Sequence, residues 1–342
     1  MAEPAKTPVA EAVSYFASGE AKEQLEFVSS GCAIMDEALG GGYVLGRCAN
    51  IVGDRSAGKT LCAMEVTANF HLTYTDGVSR YAESEAAFDK PYAEALGMPV
   101  DKIEFNKDGK PLQTIEDLYD DMERFMDAHP KVPKLYIVDS LDALSDDAEM
   151  EADFDKDSMG GKKPKLIGQL FRRLVDRMEQ ERMLFIVVSQ IRENMTAMAF
   201  QEKYKRSGGK ALDFYATHIV WLTEIKKLKR TVKGIERIVG VDVKARVRKN
   251  KVGLPFREVE YPIVFGYGID DLTACVAWLV ANGREKLLEG LGMSKSGYPA
   301  LLLKLRNDGG EAARAMRDKL RAIVRREWAE IETSFLPKAR KY

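Results

Sequence analysis

The sequence predicts an α/β fold, a mostly parallel central sheet covered by helices, and three observations carry that prediction. Apolar runs of strand length alternate with longer segments of helical period between Ala49 and Ser189, the order that builds parallel strands joined by covering helices. One strand-to-helix passage is rich in glycine, Gly53-Asp-Arg-Ser-Ala-Gly58-Lys59-Thr60. Polar groups also stand where predicted strands end, at Glu83 to Glu85, Asp139 and Gln190. The carboxyl ends of strands are where open α/β sheets gather their functional groups.

The 342 residues suffice for one large core domain with smaller additions. An apolar fraction of 45% is ordinary for a globular protein, and no run approaches the roughly 18 apolar residues of a membrane span. No charged-then-apolar leader is visible, so a soluble, cytoplasmic protein is expected. Cys32, Cys48, Cys62 and Cys275 lack C-x-x-C spacing, which argues against disulfides and structural zinc. A net charge of −1 among 31% charged residues means that any grip on a polyanion comes from local patches.

Residues 1–28 form an N-terminal piece too small for a core of its own. Its apolar positions from Val9 to Phe16 and Ala21 to Phe27 suit a short helix or two, which either folds back or docks on a neighbour. A larger core, 29–270, opens with an amphipathic helix in Ser29 to Arg47 that ends in glycines. An apolar strand then leads into Gly53 to Leu61, which fits the P-loop template G-x-x-x-x-G-K-[ST] at every fixed position. Gly53 and Gly58 let the backbone of Asp54, Arg55, Ser56 and Ala57 turn its N–H groups inward as an anion nest at a helix N-terminus. Lys59 is then placed for β/γ-phosphates and the Thr60 hydroxyl for Mg²⁺. A chance match is the bland alternative, and the strand-then-helix context weighs against it.

The P-loop helix runs to about Thr73, and Ser79 to Glu83 reads as a short strand with acidic residues beyond it. These carboxylates are either placed to act on a water or metal, or are solvated loop charge. A helix follows over Ile115 to Ala128. Lys134 to Asp139 is an apolar strand ending in Asp, the Walker B pattern, roughly 80 residues past the P-loop; Asp139 would face the magnesium. Met183 to Ser189 is a further apolar strand, ending in Gln190.

Two polar stretches, 149–165 and 191–210, lack periodicity and read as loops. They mix Lys, Arg and Gly with Met159, Met195, Met198 and Phe200, a composition suited to tracking single-stranded nucleic acid or simply to a solvated loop. Strands are expected at Thr217 to Thr223, Gly240 to Arg248 and Arg257 to Val264, with clustered cations at Arg248 to Lys251. A helical module, 271–342, closes the chain. It has helices at Leu272 to Ala281, Arg284 to Gly290 and Glu311 to Thr333, and the last carries Arg314, Arg317, Lys319, Arg321, Arg325 and Arg326. Those cations either touch duplex DNA or form the solvated face of a packing helix.

In this order the motifs resemble the RecA-type DNA recombinases, including the bacteriophage UvsX-like branch, over about residues 28 to 270. Tyr81 to Gly97 looks like the segment that holds that family's catalytic glutamate. The resemblance implies Glu85 rather than Glu83 as the base, with Asp89 binding the adenine amino group and Tyr92 stacking on its ring, at offsets of four and seven residues. Gln190 takes the γ-phosphate sensor position. The resemblance makes 149–165 the first DNA-binding loop, with Met159, Gly160, Lys162, Lys163 and Lys165. It makes 191–210 the second, with Arg192, Met195, Phe200, Ser207, Gly208, Gly209 and Lys210; Arg172 is added as a DNA contact. Lys249 and Lys251 match the pair that reaches the ATP of an adjacent subunit. The implied fold is a RecA-like P-loop NTPase core, and the implied activity is DNA-dependent ATP hydrolysis with strand exchange. ATP and Mg²⁺ are the implied cofactors. The implied partners are single- and double-stranded DNA, further copies of the chain in a helical filament, and single-strand-binding and loader proteins, with no membrane. A ring helicase, a recombination mediator and a signalling-type ATPase on the same fold are the alternatives. Arg55, where relatives carry an acidic residue, and Asp213, at a position usually basic, depart from the family pattern, and the basic C-terminus does not suit an autoinhibitory tail.

Overall fold

The computed structural model describes residues 25–85, 88–106, 109–151, 162–193, 204–206, 209–293 and 297–337. The expected N-terminal helices up to residue 24 lie outside them. Twelve strands are described: β1 Phe27–Val28, β2 Tyr43–Val44, β3 Cys48–Gly53, β4 Val78–Glu83, β5 Ile103–Phe105, β6 Lys134–Asp139, β7 Met183–Glu193, β8 Tyr204–Arg206, β9 His218–Val232, β10 Ile235–Asn250, β11 Arg257–Val264 and β12 Gly268–Ile269. The helices are α1 Ala33–Leu39, α2 Lys59–Thr73, α3 Lys90–Ala95, α4 Ile115–Ala128, α5 Asp147–Glu151, α6 Lys162–Gln180, α7 Gly209–Tyr215, α8 Asp271–Ala281, α9 Lys286–Glu289, α10 Tyr298–Asn307 and α11 Glu311–Ser334.

The main sheet runs β12-β11-β10-β9-β3-β7-β6-β4-β5, with β8 paired to β7 at its rim. From β9 to β5 the pairings are parallel, and β10, β11 and β12 extend the sheet antiparallel. β3 is the centre because both its faces are apolar. Ile51 packs on one side with Leu61, Val66 and Phe70 of α2. Val52 packs on the other with Val138, Leu118 of α4 and Leu174 of α6. A strand buried on both faces reads as a nearly unbroken apolar run, and Cys48 to Val52 does so except at Asn50, whose buried amide donates to the Val187 carbonyl and to Ser189 Oγ on β7. Helix α4 starts where it does because Thr114 and Asp117 form a reciprocal capping box.

Several elements differ from expectation. Phe27 is in β1, paired antiparallel to β2, instead of ending a helix. The first loop is narrower than 149–165, since α5 begins at Asp147 and α6 at Lys162; Lys162, Lys163 and Lys165 are therefore helical. The second loop is narrower than 191–210, because β7 continues to Glu193 and hairpins onto β8. Strands expected at Thr217 to Thr223 and Gly240 to Arg248 are much longer: β9 and β10 have 15 and 16 residues and run past the sheet as a two-stranded ribbon. Helix α10, with Pro in its first turn, is additional to the expected set.

Candidate nucleotide site

The parallel register brings matching positions of five strands side by side. Gly53 pairs with Gln190 and with Leu222, and Glu83 pairs with Asp139. At that edge the chain leaves β3 through Gly53 to Gly58 and enters α2. Ser56 (φ 61°) and Gly58 (φ 83°) take left-handed backbone, which turns the loop back on itself. Gly58 also lies against β11, since a Cβ there would stand 2.5 Å from Ile263 Cδ1. Gly53 is pressed between Leu222 and Ala57, and a Cβ there would stand 3.0 Å from the Leu222 carbonyl oxygen. Asp54, Arg55 and Ser56 are exposed, and Leu61 is buried in the first turn of α2.

Lys59 donates to the Asp54 carbonyl over 2.7 Å. Partial burial pulls its ammonium below the ordinary lysine range, opposed by Asp139, Asp142, Asp54 and Glu85. Thr60 Oγ1 donates to Asp139 Oδ2 over 2.7 Å, and Tyr81 donates its hydroxyl to the same oxygen over 2.7 Å. Burial raises the Asp139 carboxyl, and those two hydrogen bonds oppose the rise. A hydroxyl and a carboxylate sharing one oxygen edge form a hard-oxygen donor set, the chemistry Mg²⁺ prefers.

Glu85 and Glu83 are oriented differently. Glu85 Oε1 accepts from Ser140 Oγ at 2.5 Å and from Gln190 Nε2 at 3.1 Å, and its side chain is exposed at the strand-end edge. Glu83 Oε1 accepts from the Phe88 backbone N–H at 2.5 Å, a local contact that closes its own loop. The Gln190 backbone N–H donates to Asp142 Oδ2 over 2.6 Å, tying the end of β7 to the turn after β6. Lys59, Thr60, Glu85, Asp139 and Gln190 are thus drawn together from four elements. Asp89 caps α3 by accepting from the Tyr92 N–H at 3.0 Å, and burial raises the partly covered Tyr92 phenol.

Lys249 and Lys251 are elsewhere. Lys249 pairs with Ile219 and Asn250 with His218, which itself pairs with Ala49. They therefore sit at the amino end of β3, four residues from Gly53, roughly 13 Å along a strand. Lys249 Nζ donates to the carbonyls of Asp213 and Phe214 on α7. Lys251 Nζ stands 6.0 Å from the Phe214 ring centroid, its pKa lowered by burial and by Arg47.

Of the expected DNA contacts, Met159, Gly160, Met195, Phe200, Ser207 and Gly208 lie outside the described residues. Lys162, Arg192 and Gly209 are placed only as parts of α6, β7 and α7. Lys165 and Arg172 are exposed on α6, and Lys210 on α7. Lys163 is turned inward and donates to the carbonyls of Asp142 and Leu144. Arginines of α11 are also engaged within the fold. Arg321 pairs with Asp271 at 2.7 Å and Arg325 with Glu37 at 3.1 Å, while Arg317 donates to the carbonyls of Leu305 and Asp308. Sequence reasoning missed the ribbon beyond Leu222. Its residues 224–239 carry six Lys or Arg against two Glu, and Lys226, Lys227, Lys229, Arg230, Lys233 and Arg237 are all exposed. It also missed the turn after β11, where Phe265 and Tyr267 are exposed aromatics that follow Ile263, the residue lying against Gly58.

Residues 9–270 match the profile of the RecA N-terminal domain. The chain is 34% identical over 254 residues to Protein RecA of Caulobacter vibrioides, covering 73% of this chain and 67% of that one. It is 32% identical over 248 residues to Protein RecA of Bacteroides thetaiotaomicron, 72% and 71% of the two chains. Against Protein RecA of Synechocystis it is 31% identical over 280 residues, 78% and 75%. Among the described residues no helix is long and apolar enough to cross a membrane.

Proposed function

The chain belongs to the RecA family, and from that premise we propose that it is an ATP-dependent DNA recombinase that assembles head to tail on single-stranded DNA and exchanges it with a homologous duplex. The observation that carries this reading is the meeting of Lys59, Thr60, Asp139, Glu85 and Gln190 at one sheet edge, with the lysine pair at the opposite end. Lys59 and the P-loop N–H groups hold the phosphates of ATP, and Thr60 and Asp139 supply the oxygens that suit Mg²⁺. A bound Mg²⁺ would neutralise charge on the phosphate oxygens. Glu85 orients the attacking water, and the Gln190 amide beside it registers whether a γ-phosphate is present. Because Gln190 stands three residues before the end of β7, the strand that leads into the second loop, that contact orders or releases the segment towards Lys210. Hydrolysis then lets DNA go.

Site halves at opposite ends of one chain cannot complete each other within it. A second copy stacked head to tail would bring its Lys249 and Lys251 to the first copy's phosphates, the cation-in-trans arrangement of phosphoryl transfer. Such a contact is heterologous and builds either a ring or a helix. DNA would be held by exposed cations, among them Lys165, Arg172, Lys210 and the ribbon, through phosphates and not base edges.

The test is ATP turnover with and without single-stranded DNA across a salt series. Stimulation that fades as salt rises supports the reading, and turnover indifferent to DNA overturns the recombinase part of it. Glu85→Ala should bind ATP and hydrolyse poorly. If Glu83→Ala is the inactive variant instead, the base is misassigned.

A further inference from the structure

Glu65 lies one and a half turns into α2, on the helix that follows the P-loop. Its Oε1 accepts from the Ile269 backbone N–H at 2.9 Å. Glycines flank the carboxyl on two sides. A Cβ at Gly268 (φ 101°) would collide with Oε1, and one at Gly31 would stand 2.9 Å from Oε2. Gly268 in turn approaches the end of α3, where Cδ2 of Leu96, the residue after the helix, lies 3.3 Å from the position of a Cβ. One carboxylate therefore joins the P-loop helix to the turn that carries Phe265 and Tyr267, at the point where that turn closes on the helix that carries Tyr92. A nucleotide with its phosphates at Lys59 must put its base beyond the P-loop, and the stacking role proposed for Tyr92 brings that base to the side of α3 on which this turn closes; the Tyr267 ring there also carries the Arg306 guanidinium, 5.1 Å from its centroid.

We propose that Glu65 is a positioning residue for the nucleotide base, holding the Phe265–Gly268 turn at its working distance from Tyr92. The inference rests on the reading of Gly53 to Thr60 as an ATP site. Glu65 touches neither phosphates nor Mg²⁺ in this role and acts through the backbone of the turn. The groups that face it are Cys62 on its own helix, Tyr92 on α3, Tyr267 on the turn and Asp271 on α8. Burial pushes its carboxyl up to about 7, with Asp271 adding to the rise and the Ile269 N–H opposing it. Ionisation strengthens the bond to Ile269, because a charged acceptor holds an N–H more tightly than a neutral one.

The experiment measures binding of ATP and of inorganic tripolyphosphate, both with Mg²⁺, to the full-length protein. Tripolyphosphate has no base and reports the P-loop alone. Glu65→Ala should weaken ATP binding about tenfold and raise KM with kcat at saturation nearly unchanged, the signature of lost ground-state binding. Tripolyphosphate affinity should not change. Glu65→Gln keeps an acceptor for Ile269 and should bind ATP within about twofold of wild type. From pH 6 to 8 the preference for ATP over tripolyphosphate should rise more in wild type than in Glu65→Gln, which retains only the ligands' own ionisation. Equal losses for both ligands in Glu65→Ala, or the same pH trend in both proteins, would overturn the positioning role while leaving the ATP site intact. Wild-type protein that binds neither ligand would remove the ATP site itself, and this inference with it.

Discussion

Two regions carry six Lys and Arg each, helix α11 and the ribbon at 224–239, and they use them in opposite ways. In α11 five acidic residues accompany the six cations. Arg321 reaches the nearly buried Asp271, Arg325 reaches Glu37, and Glu332 of the same helix holds Arg257. Leu320 and Val324 lie in the core, and Trp328 stacks on Trp278 of α8 with ring centroids 5.4 Å apart. The ribbon has no core beneath it. Its ion pair, Lys229 to Glu236 at 2.9 Å, is between neighbouring strands and exposed on both sides, so it leaves the field of the ribbon positive and adds little stability. A cation count therefore marks a polyanion surface only where the fold supplies too few carboxylates to balance the cations.

The largest effect that would break this contrast is on α11. Arg321→Ala leaves Asp271 charged and nearly buried, beside Cys275, which donates its thiol to it. Removing one partner of a buried pair costs roughly 3–5 kcal/mol, and the half-exposed Arg321 reduces that to about 2–3 kcal/mol. Urea unfolding should show the loss, while DNA affinity per folded molecule stays unchanged. If DNA binding falls and stability does not, α11 is a DNA surface after all.

Next in size is the ribbon. Replacing Lys227, Arg230, Lys233 and Arg237 with Ser should weaken DNA binding about tenfold near physiological salt. It should also flatten the salt dependence of duplex binding by up to about 0.9 per lost phosphate contact. Global stability should move by less than about 0.5 kcal/mol, as for surface substitutions generally. An unaltered salt slope would show that the ribbon's charge is only solvated.

A pH series separates the regions further. Asp36, which accepts from Ser29 Oγ and from Ser30 N and Oγ beside the Arg325–Glu37 pair, is raised by burial to about 6 from 3.8. A raised carboxyl contributes stability that is present below its unfolded pKa and is lost as pH climbs through the folded one. Asp36→Asn removes that titration, so its stability relative to wild type should rise between pH 4 and 6 and level off above. The serine-substituted ribbon should show no such trend relative to wild type in that window. A flat Asp36→Asn difference would mean that the carboxyl is solvated and unshifted.

The P-loop and strand-end residues were readable because a phosphate nest demands fixed residue types at fixed spacing within one strand-to-helix turn. The partners of α11 were not, since Glu37 and Arg325 are 288 positions apart, and no local pattern encodes such a pairing. The loop edges were misplaced for a related reason. Lys162 to Lys165 has the composition of a loop, but the apolar spacing of Ile167, Leu170, Phe171 and Leu174 behind it extends α6 back through those residues. The ribbon was invisible for want of burial. Alternation marks a strand only when one face is covered, and β9 and β10 lose their cover beyond Leu222 and Gly240, with register shifts between Ile238 and Gly240 and between Asp242 and Val243.

The smallest effect tests whether the ribbon is coupled to the fold at all. Its strands turn at Lys233 (φ 50°) and Gly234 (φ 76°), between the paired Val232 and Ile235. Two consecutive left-handed residues in a two-residue loop match the hairpin turn that prefers Asn-Gly. A Cβ at Gly234 meets nothing within 4 Å, so Gly234→Ala costs only its backbone conformation, about 1 kcal/mol. Lys233→Asn should return a few tenths of a kcal/mol by the same preference. With no core beneath the turn, these energies act on local opening and not on global unfolding. Hydrogen exchange at Thr231 and Glu236 should therefore quicken in Gly234→Ala and slow in Lys233→Asn, while the urea midpoint holds. A midpoint that moves with the turn would mean that the ribbon folds as one unit with the sheet. Its cations would then be held as rigidly as those of α11, and the contrast between the two regions would rest on charge partners alone.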